Sequence, residues 1–307
     1  MLNIKIILLL FLLISCSKES NYIFDPETGS IFNNSINFSG DESTLDVITW
    51  NIENYPKNDF TNYYVKEIID SLNIDFIALQ EISNNEAFSN LSSSLGNHWY
   101  SFRSDSPSSE WGELAFLINQ NEFEVIGTPY TILNSYQYEF AYRPPLVIAC
   151  SYQNQSLVFI NVHYKCCGDG ILNDNYWDEE NRRLQASYYL KNYIDTYLSN
   201  DKVIVLGDFN DDIAEYENDN NVFLNFINDT DNYYFADYQI ATSSNQFWSY
   251  PSWPSHIDHI LITNELMSNI FETKTILIDN SLIGSFTTYN NYISDHRPVG
   301  IKLLFNP

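Results

Sequence analysis

The chain has 307 residues, enough for one large core or two modest domains. Aromatic residues make up 16% and charged residues 18%, which excludes an intrinsically disordered chain. With 14 basic residues against 40 acidic ones the formal net charge is −26, which argues against a broad DNA-coating surface. It leaves room for an enzyme that meets phosphate through one metal ion and a few local cations.

Met1 to Lys5 forms a short leader with one cation, followed by an unbroken apolar run, Ile6 to Ile14, too short to span a bilayer as a mature helix. The run ends Leu13-Ile14-Ser15-Cys16, which resembles a bacterial lipobox. That resemblance implies lipidation of Cys16, membrane attachment through the lipid, and a periplasmic or cell-surface place in the envelope. An uncleaved anchor and an ordinary signal peptide are the alternatives. Residues 1–16 are therefore read as a signal segment, and the polar, Asn-, Ser- and Gly-rich stretch 17–43 as tether and lead-in. Residues 44–307 form one domain without internal repeats.

From Thr44 the chain alternates short apolar runs with amphipathic stretches. Leu45 to Trp50 reads as a strand, and Tyr64 to Leu72 as a helix with Val65, Ile68, Ile69 and Leu72 at helical spacing. Strands are predicted at Phe76–Leu79, Leu114–Ile118, Pro145–Cys150 and Leu157–Val162. The longest helix runs from Glu179 to Leu198, with Leu190, Ile194, Tyr197 and Leu198 on one apolar face. It leads into Lys202–Leu206, a β-branched run typical of a strand buried on both faces. Late strands are predicted at Ile257–Ile262 and Val299–Phe305. Apart from Cys16 the cysteines are Cys150, Cys166 and Cys167, an odd count that suggests no disulfide framework. The adjacent Cys166 and Cys167 fit either a strained vicinal disulfide or free thiols, and the absence of CxxC spacing gives no reason to expect zinc.

Polar residues recur where these strands end, at Asn51, Gln80-Glu81, His163 and Asp208 to Asn210; Asp258-His259 sits inside an apolar run, and Ser294 to Arg297 precedes the last strand. Singly each is weak, since a Glu at a strand end is usually a solvated edge and Gly, Asp and Asn are ordinary turn formers. As an ordered set, TWNIEN, LQE, NVH, GDFN, IDHI and SDHRPV resemble the endonuclease/exonuclease/phosphatase superfamily, over nearly the whole stretch from Leu45 onward. The resemblance implies an α/β fold, a four-layer α/β/β/α sandwich of two packed mixed β-sheets flanked by helices, and a phosphoric ester hydrolase using Mg²⁺ or Mn²⁺. It also implies roles. Glu81 would be the principal metal ligand, with Asn51 offering an amide oxygen or orienting the site and Asp295 contributing further, directly or through water. Asp208 would be the base for the attacking water, and Asn210 would orient that water. His163 and His296 would contact phosphate, Asp258 would pair with His296, and Glu113 with His163. Arg143 matches a phosphate-contacting arginine of the deoxyribonuclease branch. Lys165 is a lesser candidate for the same job.

The substrate is less legible. A nuclease or general phosphodiesterase leads, and a sphingomyelinase-like phospholipase is the alternative within the class. Pro251-Ser252-Trp253 is similar to a segment of inositol phosphatases, but the continuation expected there is missing. Trp111, Trp177, Trp248 and Trp253 suit base stacking, a lipid interface or simply the core. The partners implied are a phosphate-ester substrate and, through the anchor, a membrane, for a chain expected to be a monomer. The non-enzyme reading is a catalytically dead surface lipoprotein, against which stands the full motif set.

Overall fold

A computed structural model describes residues 30–105, 112–214 and 220–305. Twelve strands are present among them: β1 (Leu45–Tyr55), β2 (Phe76–Ile82), β3 (Trp99–Arg103), β4 (Glu113–Asn119), β5 (Phe123–Thr131), β6 (Leu146–Tyr152), β7 (Gln155–His163), β8 (Lys202–Asp208), β9 (Tyr233–Phe235), β10 (Asp258–Thr263), β11 (Ile270–Thr275) and β12 (Val299–Leu303). They form two six-stranded mixed sheets, ordered β11-β12-β1-β2-β4-β3 and β5-β6-β7-β8-β10-β9. The inner faces pack on each other through Val47, Phe76, Phe116, Ile148, Phe159, Ile204, Ile260 and Ile301, all fully buried. Phe76 of one sheet stacks on Phe159 of the other at a ring separation of 3.8 Å.

Each sheet holds one parallel pair, β1–β2 and β7–β8, and parallel neighbours need a crossover, which here is helical. The first crossover is α1 (Thr61–Leu72), which buries Val65, Ile68, Ile69 and Leu72 as expected and ends at left-handed Asn73. It begins before Tyr64 because Asn58 and Thr61 close the preceding turn: Asn58 N–H donates to Thr61 Oγ1, and Asn58 Oδ1 accepts from Phe60 N–H. A second helix, α2 (Asn85–Leu95), follows β2, its N-terminus capped by the Asn84 side chain. The crossover of the other sheet is α3 (Glu179–Tyr197), capped by Asp178. Leu190 and Ile194 are buried against that sheet and Leu198 packs on the same core, but Tyr197 is 69% exposed and is not part of the apolar face. Arg182 and Arg183 take up its inner side in the first turns, and both side chains are occupied by hydrogen bonds.

Of the segment expected to lead into the domain, the described part is packed on it. Ile31 and Phe38 are buried, Phe32 bridges to Leu282, and the Asn37 side chain bonds Thr275 and Leu277. The lipobox and Cys16, residues 17–29 of the tether, and Trp111 lie outside the described residues. Among the described residues no helix is long and apolar enough to cross a membrane.

Candidate active site

Parallel pairing fixes where the chemistry gathers. Asn51 in β1 pairs with Gln80 in β2, and His163 at the end of β7 pairs with Asp208 at the end of β8, so these strands deliver polar residues at their carboxyl ends. Strand β10 runs antiparallel to β8 with Asp258 opposite Asp208, which puts its first residue at the same end. Strand β12 is antiparallel to β1 from Val299 opposite Thr49, so Ser294 to Arg297 arrive there too. One layer below, an amide pair joins the sheets: Gln80 Nε2 donates to Asn161 Oδ1 at 2.8 Å, and Asn161 Nδ2 donates to the carbonyls of Leu79 and Ala115. Gln80 and Asn161 of the LQE and NVH motifs thus bind the two halves together.

Above them opens a cavity of about 1160 Å³, lined by Glu53, Glu81, Arg143, His163, Lys165, Asp208, Asn210, Asp295 and His296 among others. Glu81 reaches it through a bulge. The pairing of β2 with β4 slips between Leu79 and Ile82, and Glu81 has φ 64°, a left-handed conformation costly for a side-chain-bearing residue. Room for that turn comes from Gly112, where a Cβ would sit 2.6 Å from the Glu81 carbonyl carbon. The carboxylate is then fixed, Oε1 accepting from Asn51 Nδ2 at 3.1 Å and Oε2 from Asn54 N–H at 2.9 Å. Asn51 also donates to Asp208 Oδ2 at 2.9 Å, while its own oxygen accepts from Glu53 N–H. Its amide therefore orients two carboxylates and turns its oxygen away from them.

Glu53 was not singled out from the sequence, although it lies within TWNIEN, two residues after Asn51. Burial raises its proton affinity, the Lys57 ion pair opposes this, and the neighbouring Asp295 raises it further. Two crowded carboxylates beside Glu81 are an unfavourable arrangement that a cation would relieve. The donors are all oxygen, which suits a hard divalent ion of the Mg²⁺ type. A second set of ligand-type atoms, on Asp208, Asp258 and His296, lies within 4.8 Å of one another.

The two histidines are driven to opposite states. His296 Nδ1 is 2.7 Å from Asp258 Oδ2, and its Nε2 faces Asp208 Oδ2 and Asp295 Oδ1, each at 3.9 Å. Burial favours the neutral ring, but Asp258 and Asp208 together outweigh it and push the His296 pKa up to about 10, which leaves a cation. His163 lies 3.4 Å from Asp208 through Nε2, yet burial and the positive charges of Arg143 and His296 hold its pKa well below the usual value, so it is neutral. Burial, with Asp258 second, pushes Asp208 up to about 7, the range in which a carboxylate exchanges protons near neutral pH. Asn210, in a left-handed turn, donates its backbone N–H to Asp208 Oδ1.

Glu113 is buried and accepts from Ser104 Oγ at 2.6 Å, while His163 Nδ1 is buried without a hydrogen-bond partner, so these two side chains are not hydrogen-bonded. The structure instead directs His163 towards Asp208. Arg143 is no surface residue: it is 3% exposed, donates to the carbonyls of His163 and Tyr164, and still lines the cavity. Lys165 leans on the Cys166 carbonyl and lies 3.7 Å from Glu179. At the mouth, Tyr142 is 41% and Trp253 79% exposed, and Tyr250 stands 4.8 Å from the His296 ring. Trp177 is exposed as well, whereas Trp248 is half-buried.

Two mixed sheets carrying carboxylates, histidines and a buried arginine at one end define a metal-dependent phosphoesterase. The chain belongs to the endonuclease/exonuclease/phosphatase family, whose profile matches residues 48–296. No curated protein matches the sequence. Among solved structures the fold is similar to TDP2 of D. rerio complexed with a single-strand DNA product (14% identity, 85% of this chain and 99% of that one, TM-score 0.63). It is also similar to the human Nocturnin catalytic domain with bound sulfate (17%, 86% and 94%, TM-score 0.62). A third is a family protein from Bacteroides thetaiotaomicron (14%, 86% and 98%, TM-score 0.58).

Proposed function

We propose that the protein is a Mg²⁺-dependent phosphodiesterase acting on nucleic acid, exported and held at the cell envelope through Cys16. The observation that carries the chemistry is the meeting of Glu81, Asp208, His163 and His296 in one cavity, with two histidines in opposite charge states. Glu81, with Glu53 and Asp295, would hold the ion, which supplies neutralisation of the charge building on the phosphate oxygens. Asp208 would take the proton of the attacking water, held by Asn51 below and oriented with Asn210. The His296 Nε2–H, kept positive by Asp258, would donate to a phosphate oxygen. Arg143 adds fixed positive potential behind His163 despite the chain's acidity.

For the substrate, the exposed Trp253 and Tyr142 at the mouth offer flat faces on which unpaired bases stack. The TDP2 complex with a single-strand DNA product is consistent with that reading. The exposed Trp177 and Trp253 equally suit a lipid surface, which keeps a sphingomyelinase-like reading as the second choice. The test is hydrolysis of single-stranded DNA, sphingomyelin and a chromogenic phosphodiester, with Mg²⁺, with Mn²⁺ and with chelator, beside an Asp208→Ala variant. Chelator-sensitive cleavage of DNA, lost in the variant, is expected. Cleavage of sphingomyelin alone would move the assignment to a phospholipase, and the absence of any metal-dependent turnover would overturn it.

A further inference from the structure

The loop 165–170 forms one wall of the cavity and carries two adjacent cysteines that the phosphoester chemistry does not use. We propose that Cys166 and Cys167 are a reversible two-electron redox site, closing to a vicinal disulfide on exchange with a small neutral disulfide.

The geometry is prepared for that step. Cys167 Sγ donates to Cys166 Sγ at 2.9 Å, and Lys165 Nζ approaches the same sulfur at 3.6 Å. Both groups thus lie within reach of the one sulfur, Cys166 Sγ, on which the ring would close. Cys167 is exposed and in a left-handed conformation, followed by Gly168 with φ 111°. Around the pair the loop is anchored. Arg183 Nη1 donates to the carbonyls of Lys165 and Cys167, both at 2.8 Å, and Arg183 Nε is held by Asp211. Gly170 N–H donates to the buried Glu180, against which Gly168 packs so closely that a Cβ would lie 2.1 Å from Glu180 Oε1. Reaction at the sulfurs is therefore confined to a short segment with fixed ends.

In the step, the Cys166 sulfur attacks one sulfur of the reagent and releases one reagent thiol. Cys167 then gives up its proton, attacks Cys166 Sγ and releases the second. The reagent S–S bond and two protein S–H bonds break, while one protein S–S bond and two reagent S–H bonds form. Consecutive Cα atoms are about 3.8 Å apart, below the separation of about 4.4–6.8 Å that disulfides prefer, so the ring is strained and easily reduced. That favours a reversible site over a structural crosslink. The third cysteine is a built-in control: Cys150 is fully buried in the core, and burial pushes its thiol up to about 12. The strong negative charge of the chain disfavours anionic oxidants, so the reagent class is a neutral disulfide.

The experiment uses the full chain in detergent, carrying Cys16→Ser, reduced and then treated with hydroxyethyl disulfide. Intact mass is expected to fall by about 2 Da, the loss of two hydrogens, and to return with dithiothreitol. After unfolding, one alkylatable thiol is expected. With Cys166→Ser or Cys167→Ser the 2 Da loss should vanish and a single mixed adduct should replace it. A parent protein that keeps stable mixed adducts on both sulfurs, forms linked dimers or does not react overturns the proposal. Because the ring would reshape the cavity wall, turnover of a chromogenic diester should fall several-fold on oxidation and recover on reduction, with no such response in the Cys166→Ser/Cys167→Ser double variant, which leaves no sulfur on the wall. That second readout rests on the phosphodiesterase reading; the mass readout does not. Equal rates before and after a demonstrated 2 Da loss would overturn the link to the cavity.

Discussion

Replacing Asp258 by asparagine tests the charge logic of the site directly. The Asp258 carboxylate bonds His296 Nδ1 at 2.7 Å in a fully buried setting. Two unit charges with centres about 4 Å apart at an effective dielectric near 20 attract by about 4 kcal/mol, equivalent to about three pKa units. Asp258→Asn removes that attraction and should bring His296 down from about 10 to the neighbourhood of 7. The assay is a ¹⁵N-resolved NMR titration of the histidine rings in metal-free protein. In the wild type His296 should stay protonated well above pH 8 while His163 stays neutral, and in the variant His296 should titrate near neutrality. At about pH 8 only about a tenth of the His296 rings would then carry the proton, so kcat should fall about tenfold, and further as pH rises, towards the 10²–10⁴ worth of a positioned proton donor. A His296 ring that titrates alike in both proteins, or near 6.5 in the wild type, would refute the reasoning.

Asp208→Asn should lower kcat by about two to four orders of magnitude while leaving the far-ultraviolet circular dichroism unchanged, since the amide keeps the volume and the bond to Asn51. Gly112→Ala would force a Cβ onto the Glu81 backbone, so Mg²⁺ affinity by calorimetry should drop at least tenfold with a smaller loss of stability. At the opposite end of β1, burial pushes Asp75 up to about 7 and Asp46 up to about 6. Their folded-state values lie above the ordinary 3.8, so the stability they contribute is full below that value and is lost as pH rises through about 6 to 7. Asp75→Asn should therefore flatten the decline, with a melting temperature several degrees above wild type at about pH 8 and little change at about pH 4. Phe159→Ala should cost about 3–5 kcal/mol in urea unfolding, because the ring fills the space between the sheets against Phe76.

The central strands were legible because both of their faces are buried, which leaves uninterrupted apolar runs such as Phe76–Leu79 and Val203–Leu206. Edge strands were not: β5 and β11 are largely solvated on one face, and β3 is only half-buried along its length, so none carries such a run. In the site, Asn51, Glu81, His163, Asp208, Asn210, Asp295 and His296 were named from the motifs, and the structure brings all of them to one cavity except Asn51, which lies directly beneath it. Glu53 was missed because its position depends on the irregular backbone between Asn51 and Tyr55, where β1 departs from regular pairing with β2. The contact of His163 with Asp208 was also missed. It follows from β7 lying beside β8, which no run of residues announces. The burial of Arg143 is likewise a product of tertiary packing rather than of its local Tyr-Arg-Pro-Pro sequence.

Asn51 and Glu81 come from one sheet and His163, Asp208 and Asp258 from the other, so the site straddles a seam. The Gln80–Asn161 amide pair below it acts as a gauge block, setting how far apart the two halves stand. Apolar side chains between the sheets should tolerate exchange for others of similar bulk as long as that gauge holds. Replacing either amide alone would let the halves drift and would be felt as misalignment of carboxylate and imidazole, in a protein that still folds. Tolerance to change in this molecule therefore depends on a small set of buried amide contacts that never meet the substrate.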